Sequence, residues 1–241
     1  MSQKFAAFDI DGTLFRWQLF HELVFELRKQ GLLDQNADKL DAAFASWQAL
    51  ESSWHDYEST IITAIMADIK NISTAQLESA AQTVNKRSGH RVHAYTSNLA
   101  KKLKAKGYIL IAISGSQQEI AELFAKRYGF DHCIGMVFER DKKGNYTGEY
   151  ERFVVGRKAE IIKKLVVDYN LTLKDSFAVG DSSGDISMLE LVDNPIAFNP
   201  DEPLLAKAQE RGWPIIIERK NLAYTLRKGT DGYTLAETTV F

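Results

Sequence analysis

The chain has 241 residues, 45% of them hydrophobic and 26% charged, the composition of a folded globular protein and not of a disordered one. Thirty basic against 32 acidic residues give a formal net charge of −2, which argues against a nucleic-acid-binding surface. A single cysteine, Cys133, excludes an internal disulfide and a multi-cysteine metal site. No apolar run approaches the about 18 residues of a membrane span, and MSQKFAAFDID has no signal-peptide layout. A soluble, cytoplasmic protein with neither membrane nor nucleic-acid partners is therefore expected.

In chain order, KFAAFDI is a short apolar run closed by a turn and predicts a buried strand. From about Phe15 the period becomes helical through LFHELVFELRKQGLL, with Gly31 placed to cap the C-terminus. The stretch from Asp34 to about Arg87 stays helical in pattern, carries Trp47 and Trp54, and offers Ser73 or Thr74 as an N-cap. The basic run KKLKAKG (Lys101 to Gly107) has the spacing of a solvated helix face. Strand character returns at YILIAIS (Tyr108 to Ser114), followed by a helix in QQEIAELFAKRYG and a strand around HCIGM. There Cys133 reads as a packed thiol, and His132 has no His or Cys partner at ligand spacing. VFERDKKGNYTGEYERFV alternates and turns at Lys143-Gly144-Asn145, the signature of an antiparallel hairpin. RKAEIIKKLVVDYN predicts a helix, SFAVGD a strand, ISMLELV a helix, NPIAFNP a strand, PLLAKAQERG a helix and WPIII a final strand. The last 20 residues, LAYTLRKGTDGYTLAETTVF, fit a hairpin turning at Asp231-Gly232 or a contact within a homodimer.

Strands alternating with helices imply crossover connections, hence an α/β fold: a Rossmann-like, mostly parallel sheet with helices on both faces. The helical stretch interrupts that rhythm. It divides the chain into an α/β core, residues 1–15 and 96–241, and an inserted helical unit, residues 16–95. In such sheets ligands bind beyond the carboxyl ends of the strands. Asp9 and Asp11 stand at the end of the first strand, Ser114-Gly115-Ser116 at the end of the second, Asp181 after SFAVG, and Asp185 on the following turn. Any one of these also suits a turn or a helix cap, the commonest use of Asp and Ser. Four carboxylates converging on one sheet edge repel unless a cation sits among them, and an all-oxygen donor set points to Mg²⁺.

DIDGT (Asp9 to Thr13), Ser114 followed by Gly115, Lys158 in GRKAEII, and GDSSGD (Gly180 to Asp185) resemble the four motifs of the haloacid-dehalogenase-like hydrolase superfamily, the aspartate-nucleophile phosphatases. The hairpin with NYTGEY, then RKAEIIKKL and FAVGDSSGDISMLE, resembles its phosphoserine-phosphatase-like branch. The tail NPIAFNPDEPLLAKAQERGWPII is similar to a group of bacterial hydrolases of diverse substrates. The match spans residue 1 to about 200 outside the insertion, which the resemblance makes a type-1 cap that closes over the site and selects substrate. It implies a Mg²⁺-dependent phosphatase that hydrolyses a small phosphorylated metabolite through an aspartyl-phosphate intermediate. In that scheme Asp9 is the nucleophile, and Asp11 protonates the leaving oxygen and then deprotonates water. Ser114 and the Gly115 amide bind phosphoryl oxygens, and Lys158 meets the phosphate and neutralises developing charge. Asp9, Asp181 and the Asp11 backbone carbonyl hold Mg²⁺, with Asp185 beside it or acting through water. The dehalogenases lack an acid at the position of Asp11, since a halide leaves without a proton, so Asp11 implies phosphoryl chemistry.

Two departures bear on the substrate. Gly184 stands where phosphoserine phosphatases carry Asn, and Gln18 where they carry a substrate-binding glutamate, with Glu22 a turn further on. Arg28, Arg87 and Arg91 are available to a substrate carboxylate, but none falls in an alignable motif. Arg16, Trp17, Trp47 and Trp54 form a substrate wall or the packed interior of the cap. The departures point away from phosphoserine, and the resemblance to the branch implies a histidinol-phosphate-like or other amino-alcohol phosphate. A phosphotransferase or phosphomutase would keep every motif residue. A non-catalytic binding protein is a third reading, opposed by the intact Asp9, Asp11, Lys158 and Asp181.

Overall fold

Gln3–Phe8 (β1) is an interior strand of a nine-stranded sheet in a computed structural model, which describes residues 2–33 and 37–241. Its side chains alternate: Phe5 and Ala7 join one apolar cluster, Ala6 and Phe8 another. Both faces of β1 are buried, which is why its sequence is a continuous apolar run instead of an alternating one.

The chain continues through α1 (Leu19–Lys29), α2 (Ala37–Gln48), α3 (Trp54–Asp68), α4 (Thr74–Ser88) and α5 (Ala94–Ala105). Then follow β2 (Ile109–Gln117), α6 (Gln118–Arg127), the hairpin of β3 (His132–Arg140) and β4 (Tyr146–Arg152), and α7 (Lys158–Asp168). The remainder is β5 (Leu171–Gly180), α8 (Ile186–Leu189), β6 (Asn194–Phe198), α9 (Glu202–Arg211), β7 (Ile215–Arg219), β8 (Leu222–Gly229) and β9 (Gly232–Val240). The strand order is β4-β3-β2-β1-β5-β6-β7-β8-β9, parallel from β3 to β7 and antiparallel at both ends. The chain leaves β1 toward β2 and β3 and returns to its other side at β5, so the topological switch point lies at the carboxyl ends of β1, β2 and β5.

One face of the sheet is covered by α7, α8 and α9 through Ile162, Leu165, Met188, Leu189, Leu204 and Ala208. The other lies under α5, α6 and the inserted helices, and its cluster runs without a break from Phe8 and Phe124 to Leu23, Tyr57, Ile61 and Leu77. The segments entering and leaving the insertion pair with each other: Arg16 N donates to Arg91 O at 2.9 Å, and His93 N to Leu14 O at 2.9 Å. Ser53 and Ser73 open α3 and α4 with reciprocal capping boxes to Asp56 and Gln76. Lys101, Lys102, Lys104 and Lys106 are exposed, the solvated face expected of that run. Asp34 to Asn36, part of the stretch expected to be helical, lie outside the described residues. Among the described residues no helix is long and apolar enough to cross a membrane.

Several elements differ from their sequence reading. Strand β2 runs on to Gln117 because it parts from β1 after Ala112 and meets β3 again at Gln117 opposite Met136. Ser114-Gly115-Ser116 is therefore strand backbone and not a loop. The helix expected over ISMLELV is a single turn, Ile186–Leu189, preceded by a 3₁₀ turn at Ser183–Asp185 in which Asp185 caps the backbone. WPIII is not the final strand. The last 20 residues form the β8/β9 hairpin, pairing Gly229 with Gly232 and turning through Thr230-Asp231, and they extend the sheet beyond β7.

Candidate active site

Gly12, in the loop after β1, has φ of +82°, and a Cβ on it would lie 2.1 Å from Asp181 Oδ2. Only glycine both adopts that conformation and lets the loop pass so close to the end of β5. The loop is anchored on each side of it. Asp9 N donates to Val179 O at 2.9 Å, and Thr13 Oγ1 donates to Asp181 Oδ1 at 2.7 Å.

Three of the expected acids converge here. Asp9, Asp181 and Asp185 each present an oxygen within 4.8 Å of the others. Lys158, the first residue of α7, is buried, and its Nζ donates to Asp9 Oδ1 and to Asp185 Oδ1, each at 2.6 Å. Asp185 Oδ2 accepts from the backbone N–H of Asp181 at 3.0 Å and of Ser182 at 3.1 Å. Gly180 allows that approach, since a Cβ there would meet Asp185 Cβ at 2.4 Å. Asp9 Oδ2 is buried and has no hydrogen-bond partner among the described residues.

Burial raises the Asp9 carboxyl; Lys158 opposes this and the charges of Asp185 and Asp11 add to it, leaving Asp9 at about 8. Burial, with the charges of Asp9 and Asp185, lifts Asp181 well above the usual carboxylate range against its bond from Thr13. Burial disfavours the Lys158 ammonium, but Asp185 and Asp9 outweigh it and hold the charge on. Three carboxylates thus face one ammonium. The surplus of negative charge, the hard oxygen donors and the orphaned Asp9 Oδ2 together fit a divalent cation.

Asp11 stands apart from this trio because both of its side-chain oxygens are taken. Oδ1 accepts from Leu19 N at 2.5 Å; Oδ2 accepts from Ser114 Oγ at 2.6 Å and Ser116 Oγ at 2.8 Å. Ser116 Oγ in turn accepts from Phe20 N at 2.9 Å. Burial raises the Asp11 carboxyl, and the bonds from Ser114, Leu19 N and Ser116 work against that. Asp11 is thereby tied both to β2 and to the first turn of α1. The sequence placed Ser116 with Ser114 and Gly115 at the strand end but gave it no role, although its place two residues after Ser114 puts both hydroxyls on one face of a strand. A Cβ on Gly115 would make only ordinary contact with Val155, at 3.5 Å, so packing alone does not demand glycine there.

The residues expected to select substrate are distributed unevenly. Arg16 donates to Glu218 at 2.7 Å and to Val92 O at 2.8 Å; Arg28 pairs with Asp41; Arg87 pairs with Glu22 and Glu26; Arg91 pairs with Glu22 at 2.9 Å. Trp17, Trp47 and Trp54 instead meet one another and the buried Tyr57 and His21. Gln18 occupies the N-cap of α1 without a capping bond, and Gly184 has room for a side chain, its nearest neighbour being Ser182 Oγ at 3.5 Å.

The family model for haloacid dehalogenase-like hydrolases matches residues 6–190. A probable phosphatase of Mycobacterium tuberculosis is 29% identical over 216 residues, spanning 88% of this chain and 74% of that protein. A phosphoserine phosphatase of Methanocaldococcus jannaschii is 25% identical over 228 residues, spanning 93% and 97%. Among solved structures, a Bordetella pertussis protein of unknown function shares the fold with a TM-score of 0.73 at 21% identity, spanning 90% of this chain and 99% of that one.

Proposed function

The chain belongs to the haloacid dehalogenase-like hydrolases, in their phosphoserine-phosphatase-like branch, and acts on phosphate monoesters; from that premise we propose that it hydrolyses a small-metabolite ester with Asp9 as nucleophile. The observation that carries this is the Asp9 carboxylate itself, held by Lys158 through Oδ1 while the buried Oδ2 has no partner at the sheet's switch point.

The Asp9 carboxylate attacks phosphorus in line through one of its oxygens, the ester P–O bond breaks, and the phosphoryl group passes to Asp9 as an aspartyl-phosphate. Asp11 supplies the proton that leaves with the alcohol oxygen, then takes one from the water that cleaves the intermediate and regenerates Asp9. Ser114 Oγ, which donates to Asp11 in this structure, and the Gly115 amide turn to the phosphoryl oxygens. Lys158 Nζ stabilises the charge that develops on them; removing one such donor typically costs a factor of about 10²–10³ in rate. Asp9, Asp181, Asp185 and the Asp11 carbonyl would hold Mg²⁺, which when bound offsets the negative charge opposing a phosphate dianion.

The test is phosphate release from p-nitrophenyl phosphate and a panel of metabolite phosphates. Release is expected with Mg²⁺, to stop on chelation and return with added Mg²⁺, and to be absent in Asp9→Asn. Turnover near the wild-type rate in Asp9→Asn would remove the mechanism.

A further inference from the structure

Three indoles of the insertion gather around the segment that leaves the reaction loop. Trp17 follows that loop directly, its carbonyl accepting from Gly12 N at 3.0 Å. Its ring centroid lies 5.7 Å from Trp47 and 5.8 Å from Trp54, and those two lie 5.1 Å apart. All three indoles remain partly exposed, whereas His21 and Tyr57, on which they pack, are closed to solvent. Burial holds the His21 ring neutral, with its pKa pushed down to about 3, so it adds no positive charge to the wall. One helical turn beyond Trp54 on α3 stands Glu58, partly buried. Burial raises its carboxyl, the exposed His55 opposes that, and Asp11 lies close enough for its charge to add to the rise.

An amino-acid substrate would need a cation here for its carboxylate. The four arginines of the insertion, Arg16, Arg28, Arg87 and Arg91, are engaged with Glu218, Asp41, Glu22 and Glu26. A substrate carboxylate would approach the like charges of Glu58 and Asp11 while those arginines are held by other carboxylates. A substrate ammonium would meet an opposite charge in a partly desolvated position and the electron-rich faces of indoles, the two features that together favour alkylammonium groups.

We propose that Glu58, with Trp17 and Trp54, forms the leaving-group subsite, and that the alcohol released from the phosphate carries a protonated or quaternary amine. The proposal rests on the phosphatase reading above and names its substrate class. Choline phosphate and 3,3-dimethylbutyl phosphate form a matched pair in which the cationic nitrogen is replaced by carbon; ethanolamine phosphate and propyl phosphate do the same for a primary amine. In at least one pair the wild-type chain should favour the cationic ester by about tenfold or more in kcat/KM, the scale of a desolvated cation–π contact. That ratio should fall toward one in Glu58→Gln and in Trp54→Leu. Tryptophan fluorescence, titrated with the same four esters, reads the binding preference without turnover. Equal handling of both members of both pairs, or a preference undiminished in both variants, would overturn the cationic subsite. Failure of the wild type to hydrolyse p-nitrophenyl phosphate would count instead against the phosphatase reading, and the fluorescence titration would still decide the subsite.

Discussion

His21 has both ring nitrogens buried without a partner among the described residues, stacked 5.3 Å from Trp54 and edge-on to Tyr57 at 5.2 Å. Each unmet polar atom costs about 1–3 kcal/mol, and burial holds the folded-state pKa at about 3 against about 6.5 in an unfolded chain. The sign follows directly. Below about pH 6.5 the unfolded chain binds a proton that the folded chain refuses, so this stability is present above 6.5 and lost as the pH falls. Between pH 7 and pH 5 the loss should be about 2 kcal/mol, and His21→Phe should remove it. Denaturant midpoints of both proteins at the two pH values test this; equal pH slopes would mean that the ring is open to solvent. The sequence announced Asp9, Asp11, Lys158 and Asp181 because each stands at a motif position beside a predicted strand or helix end. It was silent on His21, a polar residue in a helical stretch like any other, because its burial is produced by α3 lying across α1.

At the scale of elements, Glu218 on β7 decides how the insertion is attached. Its side chain is 2% exposed and accepts from Arg16 at 2.7 Å, from Ala94 N at 3.2 Å and from Tyr95 N at 2.8 Å, with His93 Nδ1 at 3.1 Å. One carboxylate thus grips the segment entering the insertion, the segment leaving it and the N-terminal end of α5, where the helix dipole also favours it. Glu218→Ala leaves these donors unmet and should cost about 3 kcal/mol in denaturant unfolding, with KM for the ester rising more than kcat falls. Glu218→Gln keeps an acceptor oxygen and should recover part of the loss. A wild-type midpoint in the alanine variant would show that the insertion is held without this contact. The elements themselves were readable from their periods, and Ser73 from its place before a helical run. The length of β2 was not, because its extension to Gln117 depends on pairing with β3 after it has left β1.

For the whole molecule, the β8/β9 hairpin turns β7 from an edge strand into an interior one. It is tied to the body by Tyr233, whose hydroxyl lies 2.7 Å from both Ala208 O and Trp213 O. A chain ending at Asn221 would leave the β7 edge unpaired, and unpaired edges template association. Light scattering at matched concentration should show more association in that truncation than in the full chain, together with a lower unfolding midpoint. A truncation as monodisperse and as stable as the full chain would mean that the hairpin contributes nothing to the sheet.

The sequence by itself determined the alternation of strands and helices and the placing of acids and glycines at strand ends, since both are recorded in local periods and in residues a few positions apart. Tertiary structure alone decided that Ser116 reaches Asp11 across 105 residues of chain, that Glu218 holds Arg16 across 202, and that the insertion's arginines pair with Glu218, Asp41, Glu22 and Glu26 while its indoles gather on His21 and Tyr57. Those contacts follow from which strand lies beside which and how the helices pack over them, and no spacing along the chain encodes either.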